Sequence, residues 1–229
     1  MIDWHSHILP SMDDGSKNVA ESLSMLRSLQ EQGISCVVAT PHFYANEDSI
    51  DSFLKRRTHA YDKLSSEMTE DLPRIVCGAE VQYYPGISKL AGIEQLTIGK
   101  TNLLLLEMPM ARWSGYEVRE VIEFSRTCGL TTVLAHIDRY MPLQKAGVFD
   151  ELSENGILMQ VNASFFDGRM TRKKAFRWLE AGRLHFLGSD CHNLTSRPPK
   201  IGSAYEHIRR KFGENLMESM TAYGYRMLE

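Results

Sequence analysis

His5 and His7, one residue apart, and the run Gly188-Ser189-Asp190-Cys191-His192 each follow a short apolar stretch with the character of a β-strand. His42, Glu80, Glu107 and His136 stand just beyond apolar stretches of their own. Imidazole nitrogens and carboxylate oxygens suit Mn²⁺, Fe²⁺ or Zn²⁺, whereas an iron–sulfur or structural four-thiolate site would need cysteines that this pattern lacks. Any one of these histidines alone reads better as a satisfied core residue. Six strand ends carrying His, Asp or Glu read as one assembled metal centre. The donors are too many for one ion, so two or three ions, some bridged by a carboxylate, are expected. The other histidines break the pattern: His59 and His207 fall among charges in helical stretches and His185 lies early in a strand, and none is assigned a role.

The elements that must position these donors recur in a helix, glycine, strand order. Asn18-x-x-Glu21 reads as a capping box opening a helix, with Val19, Leu23, Leu26 and Leu29 on one face and Gly33 at its stop. The order repeats at Gly129, Gly156 and Gly182, each followed by an apolar run. A glycine there permits the left-handed turn that ends a helix, and the run after it reads as a parallel strand buried on both faces. Together with runs at 2–5, 34–39, 74–79 and 103–107 this predicts about seven strands, with a long helix over about 48–69. Alternation of strand and helix predicts a parallel sheet with crossover helices. In a closed (β/α) barrel the loops after the strands converge on one face, and an open doubly wound sheet would also gather strand ends along a crevice. Asn162 joins the donors at such a strand end.

The 229 residues are 43% hydrophobic and 24% charged, an ordinary globular balance, and one domain over 1–229 is expected. A net charge of −3 argues against a nucleic-acid footprint or an anionic-membrane surface. No apolar run approaches the roughly 18 residues of a membrane helix. The first candidate donor is already residue 5, leaving no room for a signal peptide, and the four cysteines (Cys36, Cys77, Cys128, Cys191) show no paired spacing. Reduced thiols and a cytoplasmic location are the expectation.

The motifs, taken in order, resemble the polymerase and histidinol phosphatase (PHP) superfamily: His5-x-His7, Thr40-Pro41-His42, Gly78-Ala79-Glu80, Ala135-His136 and Ser189-Asp190-x-His192. Ile8-Leu9-Pro10-Ser11-Met12-Asp13-Asp14-Gly15, Ala135-His136-Ile137-Asp138-Arg139-Tyr140 and Arg197-Pro198-Pro199 are similar to the manganese-dependent bacterial protein-tyrosine phosphatases of capsule and exopolysaccharide operons. The resemblance spans nearly the whole chain. It implies a distorted seven-stranded (β/α) barrel holding three divalent ions, Mn²⁺ first and Fe²⁺ or Zn²⁺ as alternatives. It further implies that His5, His7, Glu80 and Asp190 hold one ion, that Glu80 bridges to a second completed by Glu107 and His136, and that Asp14, His42 and His192 hold the third. Asp13 is adjacent, and the motif alignment favours Asp14. The family often has Pro-Glu where this chain has Ile137-Asp138, and Gly where it has Met12; neither removes a donor.

Two cations roughly 3.5–4 Å apart can share a hydroxide and lower its pKa from about 15.7 toward about 7, giving a nucleophile for in-line attack on phosphorus. Arg139 and Arg197 are placed to clamp phosphate oxygens bidentately. A tyrosine leaving group, with a pKa near about 10, needs less acid assistance than an alkyl alcohol. Asp138 or a metal-bound water could donate that proton. Phe43, Tyr44, Tyr83, Tyr84, Trp113 and Tyr140 are candidates to pack on an aromatic substrate, some of them as core.

A competing motif is Cys191-x₅-Arg197, the spacing of cysteine-dependent tyrosine phosphatases. Its loop has no glycine, its Asp and His flank the cysteine as metal donors would, and the thiol mechanism ranks behind the metal one. The resemblance implies a metal-dependent tyrosine phosphatase acting on the tyrosine-rich tail of a polysaccharide-assembly autokinase. A small-molecule phosphoesterase such as histidinol-phosphate phosphatase is the alternative within enzymes. A catalytically silent metal-binding scaffold is the alternative outside them, and the filled donor positions count against it.

Overall fold

The computed structural model describes residues 1–229. Nine strands are all parallel where they pair: β1 (Ile2–Ser6), β2 (Cys36–Ala39), β3 (His42–Phe43), β4 (Arg74–Cys77), β5 (Glu80–Gln82), β6 (Leu103–Glu107), β7 (Thr131–Leu134), β8 (Leu158–Asn162) and β9 (Phe186–Gly188). They form a three-stranded sheet, β1-β2-β4, and a six-stranded sheet, β3-β5-β6-β7-β8-β9. A parallel bridge between Ser6 and Cys191 joins the two. It is flanked by hydrogen bonds from Asp190 N to His5 O (2.8 Å) and from His7 N to Cys191 O (2.9 Å).

The count of nine departs from the expected seven for a local reason. Two expected strands are each followed, after a two-residue break, by a short further strand that lies beyond the expected run: β3 past Thr40-Pro41 and β5 past Gly78-Ala79. Pro41 has no N–H to give a ladder, yet its carbonyl accepts from Glu80 N at 3.0 Å, and Ala39 O accepts from Gly78 N at 2.8 Å. The chains therefore stay side by side across both breaks. The parallel curled sheet expected from the alternation is present, and both interruptions fall immediately before a candidate donor.

Helices α1 (Val19–Glu31), α2 (Ile50–Ser65), α3 (Gly115–Cys128), α4 (Ile137–Tyr140), α5 (Val148–Glu154), α6 (Arg169–Glu180), α7 (Gly202–Phe212) and α8 (Glu214–Met227) supply the crossovers and the carboxyl-terminal packing. The expected glycine stops are left-handed, at φ 79° for Gly33, 66° for Gly129, 81° for Gly156 and 67° for Gly182. The capping box at Asn18 is half-made. Asn18 Oδ1 accepts from Glu21 N (3.0 Å), but Glu21 reaches back to Lys17 N (2.9 Å). A complete box caps α3 at Ser114 and Glu117. No helix is long and apolar enough to cross a membrane.

Two apolar clusters flank the strands. A large one lies largely between strands and helices, and a smaller one gathers Ile2, Trp4, Cys36, Val38, Ile98, Leu103, Leu105, Val133, Ala135 and Phe186. Alternation sorts them: Leu103 and Leu105 of β6 belong to the smaller, Leu104 and Leu106 to the larger. Each fully buried side chain of this size contributes about 1.5–3 kcal/mol. The register of β1 on β2 shifts between Asp3 and Ser6. Such a shift re-aims side chains, and here Trp4 stacks on Phe186 while the next residue, His5, abuts Gly188.

Candidate metal centre

All nine expected donors meet on one side of the sheets, in the last residues of strands, at the openings of the short β3 and β5, or in the loops that follow. His5 lies on β1 and His7 just after it, His42 opens β3, Glu80 opens β5, Glu107 ends β6, His136 follows β7, and Asp190 and His192 follow β9. Asp14 comes from the loop before α1. Three groupings emerge: His5, His7 and Asp190; His42, Glu80 and Glu107; and His7, Asp14, His42 and His192. Glu80 stands at the centre and is almost wholly buried. Its Oε2 lies 3.2 Å from His5 Nε2, 3.3 Å from His7 Nε2 and 3.1 Å from His42 Nδ1, and its Oε1 lies 2.8 Å from His136 Nε2. Glu107 Oε1 is 3.4 Å from the same His136 nitrogen. Asp14 Oδ1 sits 3.3 Å from His192 Nε2 and 3.7 Å from His42 Nε2.

The partners of the imidazoles fix which nitrogen faces the centre. His7 Nδ1 donates to Asp13 Oδ2 (2.7 Å), His5 Nδ1 to Gln160 Oε1 (3.1 Å), and His192 Nδ1 to the Asp190 carbonyl (3.1 Å). In each case Nε2 is the nitrogen on the cluster side of the ring, as in histidine ligation supported by a second layer of acceptors. The Nε2 atoms of His5 and His7 approach to 3.2 Å. His42 Nδ1 and His136 Nδ1 are buried without a hydrogen-bond partner. Converging Nε2 atoms, an unpartnered His42 nitrogen aimed at Glu80 and Glu107, and four carboxylates in one cluster, with Glu80 and Asp190 buried, fit divalent cations.

Asp13 and Asp14 divide the work between them. Asp13 accepts from His7 Nδ1, from His42 N (2.9 Å) and from Gly15 N (2.9 Å). Despite the burial that opposes its charge, the His7 bond and charge hold its carboxyl well below the usual range. Asp14 is exposed and points its oxygen at His42 and His192. Gly15 lets this loop lie across His7, since a Cβ there would stand 2.3 Å from the His7 carbonyl oxygen.

Electrostatics show what the cluster lacks without cations. An uncompensated buried carboxylate is costly by several kcal/mol. Burial would lower the pKa of His7, but its bonds to Asp13 and Glu80 outweigh that and raise it to about 10. His136 rises to about 9 against the same burial penalty, through Glu107 and Glu80. Protons thus take the electrostatic place that metal ions would fill. Three residues outside glycine adopt positive φ: Ser11 (57°), His136 (29°) and Asp190 (53°). Two are donors and the third opens the Asp13–Asp14 loop, so the strained backbone is concentrated at this site.

Arg139 and Arg197 reach the cluster from one side. Arg139 pairs with Asp190 Oδ2, and Arg197 bonds Asp190 Oδ1 (2.7 Å) and His192 Nε2 (2.7 Å). With Asn162, Ser164, Ser196 and Lys200 they line a cavity of about 250 Å³. Asp138 is outside that lining. Its Oδ1 accepts Asn162 N (2.8 Å), and burial raises its pKa.

Of the six aromatic candidates, Tyr44 and Phe43 line a cavity at the cluster, about 480 Å³ beside Asp14 and His42, and the Tyr44 ring stacks 5.3 Å from that of His42. Phe43 packs on Phe53 and Trp113 on Tyr140 and Phe149 as core. Tyr83 and Tyr140 are likewise buried, with hydroxyls bound to Glu120 and Met108 N. Tyr84 is half-buried against the core. The Cys191–Arg197 spacing carries no thiolate geometry. The Cys191 thiol is fully buried, its pKa pushed far above the usual thiol range by that burial, and Arg197 is engaged with Asp190 and His192. Gln160 was not singled out from the sequence, although a polar side chain inside Ile-Leu-Met-Gln-Val was its signal.

A family model described as capsular polysaccharide synthesis, CpsB/CapC, matches residues 1–226. The tyrosine-protein phosphatase CpsB of Streptococcus agalactiae is 33% identical over 93% of this chain and 92% of its own length. The tyrosine-protein phosphatase YwqE of Bacillus subtilis is 31% identical over 96% of this chain and 89% of its own. A crystal structure from work on YwqE of Bacillus subtilis and CpsB of Streptococcus pneumoniae, described as unique metal-dependent tyrosine phosphatases, superposes with a TM-score of 0.84. It is 26% identical and covers 100% of this chain and 94% of the other. A histidinol phosphate phosphatase from Lactococcus lactis, at 11% identity and a TM-score of 0.58 over 93% and 92% of the two chains, shares the fold.

Proposed function

The chain belongs to the CpsB/CapC family of capsular polysaccharide synthesis, and on that footing we propose that it is a metal-dependent protein-tyrosine phosphatase acting as one catalytic unit over 1–229. The observation that carries this reading is the convergence of nine imidazole and carboxylate donors, with His5, His7 and His192 each turned so that Nε2 faces inward. The assignment is three divalent ions, Mn²⁺ first: one on His5, His7, Glu80 and Asp190, a second on Glu80, Glu107 and His136, a third on Asp14, His42 and His192. Such ions would supply Lewis acidity and lower the pKa of a coordinated water toward about 7.

The chain's own residues do the rest. Arg139 and Arg197 present guanidinium forks at the cluster's edge, suited to the equatorial oxygens of a phosphoryl group. Tyr44 offers an aromatic face beside the third donor group. Asp138, which burial pushes toward its protonated form, is one candidate to protonate the departing tyrosyl oxygen, and a water on a bound metal ion is the other. The proposed substrate is the phosphotyrosine-bearing tail of a polysaccharide-assembly tyrosine autokinase, a reading supported by the capsular role of the family.

Hydrolysis of a phosphotyrosine peptide is to be measured before chelation, after it, and with Mn²⁺ restored, alongside Cys191→Ser. Loss on chelation, rescue by Mn²⁺ and an active Cys191→Ser protein are expected. Chelator-resistant turnover that vanishes in Cys191→Ser would overturn the metal mechanism. Preference for histidinol phosphate over the peptide would move the chain to small-molecule substrates.

A further inference from the structure

Strand β8 contributes none of the nine donors, yet two of its side chains touch three of them. Gln160 and Asn162 are both buried. Gln160 Oε1 accepts from the backbone N–H of His136 at 2.6 Å and from His5 Nδ1 at 3.1 Å. Gln160 Nε2 donates to Asn162 Oδ1 at 3.0 Å, and Asn162 Nδ2 donates to Asp190 Oδ2 at 2.9 Å.

A side-chain amide can in general be turned end for end, but here one group removes that freedom. The His136 N–H belongs to the backbone and can only donate. It therefore requires the Gln160 oxygen, not the NH₂, to face it. With the oxygen placed, His5 must carry a proton on Nδ1, which makes Nε2 the nitrogen facing His7 and Glu80. The Gln160 NH₂ then requires the Asn162 oxygen opposite it, which turns the Asn162 NH₂ onto Asp190. Flipping either amide would set donor against donor inside a closed space. That space is tight: a Cβ at Gly188 would stand 2.7 Å from Gln160 Nε2 and 2.6 Å from His5 Cβ. A glycine on β9 is thus what admits the amide.

We propose that Gln160 and Asn162 form a one-directional amide relay, anchored by the His136 backbone N–H, that sets the His5 tautomer and orients Asp190 for metal binding. Both are positioning residues, acting through the donors they hold. His5 and Asp190 are assigned to one ion and His136 to its neighbour, so the relay ties two ion sites through protein atoms alone. Direction implies asymmetry: a change at Gln160 reaches His5 and Asp190, whereas a change at Asn162 reaches Asp190 and stops.

The inference rests on the metal-centre reading, and its test is separable from it because the first readout uses metal-free protein. Ring ¹⁵N shifts of His5 report the tautomer, and Mn²⁺ titration calorimetry reports affinity. In Gln160→Met, His5 is expected to show mixed tautomers and Mn²⁺ to bind about 10–100-fold more weakly, the range for losing a partner behind a ligand. Gln160→Glu keeps the acceptor and most of the volume. It should keep the Nδ1–H pattern and decides the matter if Gln160→Met does not fold. Asn162→Ala should weaken Mn²⁺ binding while leaving the His5 shifts unchanged. Wild-type shifts and affinity in Gln160→Met, loss of the Nδ1–H pattern in Gln160→Glu, or a His5 tautomer change in Asn162→Ala would each overturn the relay.

Discussion

Early along the strands, Trp4 stacks on Phe186 with ring centroids 3.9 Å apart, among Ile2, Cys36 and Leu103. A few residues later in the same parallel strands and the loops they feed, Glu80, His136 and Asp190 meet under near-complete burial. Both regions are equally dry, but they are stabilised differently. The apolar end gains by removing carbon from water and needs nothing bound. The polar end holds charge that only protons, guanidinium groups or cations can offset, and it concentrates the positive-φ backbone at His136 and Asp190. Stability is built at one end of the strands, and function is set at the other, where the fold is least self-sufficient.

The comparison breaks most sharply at Glu80. Glu80→Gln removes the carboxylate that touches four histidines. It should lower kcat/KM on phosphotyrosine peptide on the order of 10³–10⁴-fold, about 4–5.5 kcal/mol of transition-state stabilisation, with loss of bound Mn²⁺ by elemental analysis. Leu103→Ala should do the reverse. It costs about 3 kcal/mol of unfolding free energy by denaturant titration, while the folded fraction keeps its metal content and turnover. If Leu103→Ala lowered turnover per folded molecule tenfold, the separation of the two ends would fail.

A smaller effect tests the arginine edge. Arg197→Lys keeps the charge but not the planar fork, and about a tenfold loss in kcat/KM is expected; unchanged kinetics would remove Arg197 from the phosphate clamp. Asp138→Asn should slow phenyl phosphate severalfold more than nitrophenyl phosphate, because a better leaving group needs less acid. Equal slowing of both would end its candidacy as the acid. The smallest expected effect is one of sign. In metal-free protein the folded pKa values of His7 and His136, about 10 and about 9, lie above the ordinary value of 6.5. Their contribution is full below about pH 6.5 and is lost as pH rises through 9 to 10. Thermal unfolding without metal should therefore fall over that window, while Mn²⁺ affinity rises as protons leave the ligands.

Much of this was legible along the chain, for a reason that can be located. Strand ends and helix stops are local: the glycines at 33, 129, 156 and 182 each end a helix in the left-handed conformation expected of them. The donors at 5, 7, 42, 80, 107, 136, 190 and 192 follow from those boundaries by adjacency. The short strands past Thr40-Pro41 and Gly78-Ala79 were less visible, because each lies beyond a two-residue break, outside the apolar run that marks the expected strand. Which of the aromatic candidates are core was not legible, since a ring near a donor in sequence has no reason to face it in space.

By itself the sequence determined the candidate donors, the parallel alternation and the face on which those candidates gather, because each depends on residues within a few positions of one another. Only the tertiary structure placed Asp13 on His7 Nδ1 and Asp14 beside His192, buried Cys191 beyond reach of a phosphate, and turned Gln160 toward His5 across 155 positions of chain. Those outcomes depend on which polar atoms share an enclosed space, and packing between distant strands, rather than spacing along one, sets that company.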